Sequence, residues 1–275
     1  MTSGSLEKDL IPQSQLWSIA LGIGTGALDV LLFPPVSSEP VIHRRVPLDA
    51  SDDAVRAVED AIYGNPLLLN DFRTVTCAVP MGRFMILPSD VAHDRALRRQ
   101  VFDTAHPGSE DLELLVLPTD ASNAVVVAGV DPSLAGFLRR SFYNIRLTHP
   151  MVALINHTAA LSRAEEPTML VRLEDDYADV TAAAGKKLLL ANRYRISAPI
   201  DAAYYVLATR KRLGLSPEAP LRIAGAVENR HKLGDILRPY LSDVADLQLP
   251  PRLWQAGTPA LTAPLNLLLL HPSCA

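Results

Sequence analysis

Cysteine is nearly absent from this chain. Its 275 residues hold two, Cys77 and Cys274, far apart and outside any CxxC pair. That spacing offers neither a disulfide framework nor a zinc site, and a reducing cytoplasm is the expected home. Long apolar runs are also missing. Stretches such as 188–191 and 267–270 are far shorter than the roughly 20 residues that cross a bilayer. Glu7, Lys8 and Asp9 stand where an export signal needs its hydrophobic stretch, and Cys274 is next to last, which leaves no prenylation box. No membrane insertion is expected. Positive charge is in short supply too: 26 Lys plus Arg face 30 Asp plus Glu, a net charge of -4. The chain as a whole offers no basic face for nucleic acid.

What is present describes a globular protein, with 48% hydrophobic and 20% charged residues. A chain of this length accommodates two domains of roughly 100–150 residues each. Residues 16–22 and 28–33 are apolar runs separated by Gly22, Gly24 and Gly26, the pattern of a β-hairpin. Pro34 and Pro35 stop the second run, and 41–46 reads as a third strand with Arg44 and Arg45 on a wet face or sheet edge. Ser51 or Asp52 is positioned to cap a helix whose apolar side is Ala54, Val55, Val58, Ala61 and Ile62. A strand follows at 74–79, then a helix over 90–102 with Val91, Leu97, Val101 and Phe102 inward. Arg95, Arg98 and Arg99 share its opposite side, which reads as a solvated face or a docking patch. Runs 112–117 and 124–130 form a further hairpin, Pro132 opens a helix, and 149–162 is helical.

The order then repeats. Glu165, Glu166 and Pro167 make the clearest linker, followed by strands at 168–173, 177–183 and 187–194. A helix over 201–213 ends at Gly214, and 221–227 is a strand. A helix at 230–241 and a short strand at 247–249 complete the unit. The region 265–270 has enough apolar character to form a strand or to pack on the first domain. Two copies of β-β-β-α-β-α-β with mixed sheets make an α/β protein of the duplicated ribonuclease H-like, actin-like ATPase fold. The expected domains are 1–148, with insertions, and 149–275.

In that fold, nucleotide lies between the domains. Backbone N–H groups of two glycine-containing hairpin turns face its phosphates, and an aspartate before the first turn organises magnesium waters. Here the first hairpin supplies Gly22, Gly24, Thr25 and Gly26, but Ala20 stands where the aspartate belongs. The second hairpin turn is Glu174-Asp175-Asp176, without glycine, and three carboxylates there repel a triphosphate. Gly225 is the single glycine at the strand–helix junction that holds adenosine in such proteins. These five residues are the candidate cofactor-binding positions, read as remnants of nucleotide loops. Each glycine also has a plain explanation as a turn former, and the three acids as a solvated turn.

Other chemistry finds little support. His149 and His157 are two helical turns apart and cannot share a metal, for which helical pairs need i, i+3 or i+4 spacing. No GxSxG, HExxH or Walker A pattern occurs. Arg139-Arg140 and Arg210-Lys211-Arg212 end helices, where they complement the macrodipole.

Several segments taken together carry a family likeness: Phe84-Met85-Ile86-Leu87-Pro88 after Pro80, Leu188-Leu189-Leu190-Ala191-Asn192-Arg193-Tyr194, Asp201-Ala202-Ala203-Tyr204-Tyr205-Val206-Leu207, and Ile223-Ala224-Gly225. The chain resembles, over nearly its whole length, the uncharacterised Bacteroidetes proteins of domain-of-unknown-function family 3822. The resemblance implies an actin-like ATPase fold with no assigned activity and no catalytic residues to transfer. The expectation is a non-catalytic protein that binds an unidentified protein partner, without a cofactor and with its oligomeric state open. The alternative is a diverged Mg-ATP-binding kinase or ATPase of the actin, Hsp70 and sugar kinase class. A ribonuclease H-like nucleic-acid enzyme ranks last, since 17–22 contains no acid.

Overall fold

A computed structural model describes residues 10–24, 26–36, 41–49, 53–79 and 82–248. The glycine-split runs become β1 (Ser18–Gly24) and β2 (Ala27–Phe33), antiparallel, with Ile19 opposite Leu32 and Gly24 opposite Ala27. Strand β3 (Ile42–Pro47) extends this ladder beside β2. Helix α1 (Ala54–Tyr63) is capped by Asp53, whose carboxylate accepts from the N–H groups of Val55 and Arg56. The expected caps, Ser51 and Asp52, lie outside the described residues. Strand β4 (Thr74–Ala78) then pairs parallel to β1, as a crossover through a helix requires.

An insertion follows. Strand β5 (Phe84–Leu87) leads into two helices, α2 (Ser89–His93) and α3 (Arg95–Ala105), where a single helix is expected from the apolar spacing. The break falls at Asp94, whose carboxylate accepts from Ala96 and Leu97 and so starts a new helix. Strands β6 (Glu113–Pro118) and β7 (Val125–Val130) form the expected hairpin, and β5 joins β7 to complete a separate three-stranded sheet. Helix α4 (Pro132–Ser141) starts at its proline, capped by Asp131. The short strand β8 (Arg146–Thr148), which the sequence does not reveal, pairs parallel to β4.

Helix α5 (Pro150–Leu161) links this unit to the next. The second copy runs β9 (Thr168–Leu173), β10 (Tyr177–Ala184), β11 (Lys187–Arg195), α6 (Pro199–Leu213), β12 (Leu221–Gly225), α7 (Val227–Leu237) and β13 (Val244–Asp246). The last strand thus ends before the expected 247–249, of which Leu249 lies outside the described residues, as does the region 265–270. The two five-stranded sheets have orders β3-β2-β1-β4-β8 and β11-β10-β9-β12-β13. In each, the first three strands in sequence are antiparallel and the last two parallel. The repeat inferred from the sequence is a repeat of topology.

Burial follows strand alternation. In the first sheet Ile19, Leu21, Leu28, Val30, Leu32, Val75, Cys77 and Leu147 point into one core with α1, α4 and the inserted hairpin. That core continues through Leu154 and Ile155 of α5 to Leu170, Leu188 and Ala224 on the second sheet. The opposite face of the second sheet packs against α6 and α7 through Val171, Val180, Val206, Ile223 and Leu233. Helix α5 is therefore apolar nearly all round, as a helix between two layers must be. Cys77 lies on β4 between β1 and β8, fully buried, and burial pushes its thiol up to about 12.

Candidate functional site

The first hairpin closes at the paired residues Gly24 and Ala27, with Gly26 in its turn. Gly26 has φ +74°, in the left-handed region, and a side chain there would meet no heavy atom within 4 Å. Gly22 sits between Asp29 of β2 and Ala78 of β4, and Thr25 lies outside the described residues. Ala20 is buried between Leu31 and Thr76, deep in the sheet. One acid that sequence reading passed over stands beside these glycines. Asp29 is buried directly across from Gly22, with His43 Nε2 2.8 Å from its carboxylate. A single acid within the apolar run Ala-Leu-Asp-Val-Leu-Leu-Phe was its signal.

The second hairpin carries a charged network that the sequence reading saw only as three acids. Asp179, on β10 just past the turn, has a side chain with 0% exposure. Arg172 of β9 donates to its Oδ2 at 2.7 Å, and Arg193 of β11 reaches both oxygens at 2.7 and 3.0 Å. The register explains this: Asp179 pairs with Arg172 on one side and Arg193 on the other, so all three side chains share one face. Burial works to raise the Asp179 carboxyl, but the two guanidiniums hold it below the usual carboxylate range. Arg172 also reaches Glu174 at 3.2 Å and the Tyr177 hydroxyl at 3.1 Å. Desolvation outweighs that attraction at Glu174 and raises its carboxyl. Asp175 and Asp176 point into solvent, as a solvated turn does.

The network touches the insertion. The Arg193 guanidinium lies 3.9 Å from the Tyr177 ring centroid and 5.5 Å from that of Phe84 on β5. Phe84 in turn packs on the ring of His149 at 4.4 Å. His149 caps α5, its Nδ1 accepting from the N–H of Met151 at 3.0 Å.

Gly225 ends β12 directly beside Leu173, the residue before the acidic turn. It has φ +124°, and a Cβ there would lie 2.4 Å from the Leu173 carbonyl oxygen. Close passage of two strand ends is reason enough for this glycine. The fold thus places Gly225 with the acidic turn at one end of the second sheet. Gly22, Gly24 and Gly26 remain with the first sheet, and among the described residues no hydrogen bond joins them to Gly225.

The basic clusters are tied into the structure. Arg99 is bonded to Asp103 and to the carbonyls of Ser109 and Leu112, and Arg98 to that of Ala92. Of the face expected to be solvated or docking, Arg98 and Arg99 instead hold the insertion together and Arg95 is exposed, while Leu97, expected inward, is 40% exposed. Arg139 makes a two-pronged pair with Glu113 at 2.9 and 2.6 Å. Arg210 is buried and donates to the carbonyl of Ala219 at 2.9 Å. Among the described residues no three His, Cys, Asp or Glu side chains stand together as metal ligands, and no helix is long and apolar enough to cross a membrane.

Two mixed sheets of like strand order, each with three antiparallel and two parallel strands, define the actin-like ATPase fold. Solved structures bear out the class. A protein of actin-like ATPase fold and unknown function from Bacteroides thetaiotaomicron VPI-5482 matches at 18% identity and TM-score 0.74, covering 89% of this chain and 94% of its own. The PilM-PilN type IV pilus biogenesis complex matches at 16% identity and TM-score 0.53, covering 94% and 98%. Residues 9–244 match the family described as "Protein of unknown function (DUF3822)", and the chain belongs to that family. No curated protein sequence matches it.

Proposed function

We propose that this protein is a non-catalytic member of the actin-like fold that acts by binding another protein. The observation carrying this reading is the second hairpin. Arg172 and Arg193, whose side chains meet beside the turn, are neutralised by Asp179 and Glu174, and the turn itself presents carboxylates. A triphosphate approaching there meets negative charge and no free cation from either arginine. At the first hairpin the residue expected to organise magnesium is Ala20. The same fold occurs in a two-protein assembly, the PilM-PilN complex, which supports a binding role. Domains at 1–148 and 149–275, a cytoplasmic location and the absence of any nucleic-acid partner belong to the same proposal.

The runner-up is a diverged ATP-binding protein. The open space around Gly26 favours it, because backbone there is free to approach a phosphate. Thermal unfolding with and without millimolar Mg-ATP separates the two. A ligand at 100 times its Kd adds about 2.7 kcal/mol, on the order of several degrees for a chain of this size. The expected result is a flat response to ATP, ADP and GTP; a clear rise overturns the proposal.

A further inference from the structure

The second sheet ends in a strand whose outer edge is partly open. Among the described residues strand β11 is outermost in its sheet and pairs with β10 alone. The N–H of Ile196 donates to the Asp176 carbonyl at 3.0 Å, which fixes the alternation along the strand. The backbone groups of Tyr194, Asn192 and Leu190 therefore face β10, and those of Arg195, Arg193 and Ala191 face away. A bulge opposite Ala182 and Ala183 resets this pattern, so Leu188 faces outward as well.

At Leu188 the edge is already engaged. The Asn123 side-chain amide accepts from the Leu188 N–H at 3.0 Å and donates to its carbonyl at 3.2 Å, as a neighbouring strand does. Ser122 N–H donates to the Lys186 carbonyl at 2.9 Å. Beyond this clamp, no described residue bonds the outward backbone groups of Ala191, Arg193 or Arg195. The side chains beside the open stretch are aromatic. On the α6 side Tyr194 stacks on Tyr205 at 4.2 Å, with Tyr204 68% and Ile200 57% exposed next to it. On the other side Phe84 stands over Arg193.

We propose that β11 receives an added strand from a protein partner, an extended segment alternating apolar residues with carboxylates. This deepens the protein-binding reading and rests on it. Charge selects the occupant. Lys186, Lys187 and Arg195 are exposed along this edge and form no ion pair among the described residues. An acidic strand meets the same positions with attraction. Backbone pairing supplies affinity and the flanking aromatic rings take alternate side chains.

The test selects binders from a displayed library of random peptides of about a dozen residues against the full chain, then measures the best as a synthetic peptide. The expected sequences alternate apolar residues with Asp or Glu. Binding should slow hydrogen exchange at Ala191, Arg193 and Arg195. Affinity should fall at least about tenfold in Lys187→Glu/Arg195→Glu and in Ala191→Pro, which removes an outward donor and no ladder bond. The proposal is overturned by an empty selection, by a peptide that leaves these amides unprotected, by affinity unchanged in the variants, or by self-association through β11 in sedimentation. Should Ala191→Pro not fold, the charge variant and the exchange pattern still decide. A lysate partner bound equally by wild type and variants removes the edge but keeps the binding reading. A nucleotide-induced thermal rise removes that reading, whatever β11 does.

Discussion

Gly225 shows how much one hydrogen atom decides. Its φ is positive, and the Leu173 carbonyl oxygen lies 2.4 Å from where a Cβ would stand. An alanine has nowhere to go without parting β12 from β9. Gly225→Ala should cost roughly 2–4 kcal/mol in chemical denaturation, with no change in any ligand response. Asp179 is the second decisive residue. Removing it as Asp179→Ala takes away the carboxylate that buried Arg172 and half-buried Arg193 share, and should cost about 3–5 kcal/mol at neutral pH. Its folded-state carboxyl titrates below the unfolded value, so its contribution is full above about pH 4 and fades as pH falls through the folded value. The deficit of Asp179→Ala should accordingly shrink in acid, which urea titrations across pH will read. Sequence alone showed the acids at 174–176 because they are adjacent; it hid the Arg172–Asp179–Arg193 contact because only strand register creates it.

The elements were legible where periodicity was strong and ends were marked. Strands β9, β10 and β11 and helices α1 and α5 stand within a residue or two of their expected spans, and α4 starts at its expected proline, because glycine, proline and acidic turns bound them. Three features escaped. Strand β8 has only three residues and no alternation to betray it. The separate sheet depends on β5 pairing with β7, a contact across the two helices between them. The break between α2 and α3 was masked by apolar spacing that runs through Asp94. That aspartate prefers capping to helix interior, since its carboxylate satisfies two otherwise unpaired N–H groups. Asp94→Ala should lower stability by about 1 kcal/mol and, in hydrogen exchange, loosen the first turn of α3 before any other part of the insertion.

At the scale of the molecule, α5 is the shared member. Leu154 and Ile155 lie in the core that spans the first sheet and the insertion, while the Thr158 hydroxyl lies 2.6 Å from that of Thr181 on the second sheet. Truncating Ile155 to alanine should cost about 2–5 kcal/mol. Because its core touches both sheets, calorimetry should show one transition moved to lower temperature rather than one of two peaks displaced. The duplicated plan was readable in the sequence because each copy repeats its own local pattern. The way the copies are joined was not, because it depends on contacts such as Asn123 with Leu188 between residues far apart in the chain. The thiol of Cys77 offers a clock for the first copy: sealed within its sheet and held protonated, it reacts with an alkylating reagent only when its strands part. With Cys274 replaced by serine, the pace of labelling counts how often the first sheet breathes open.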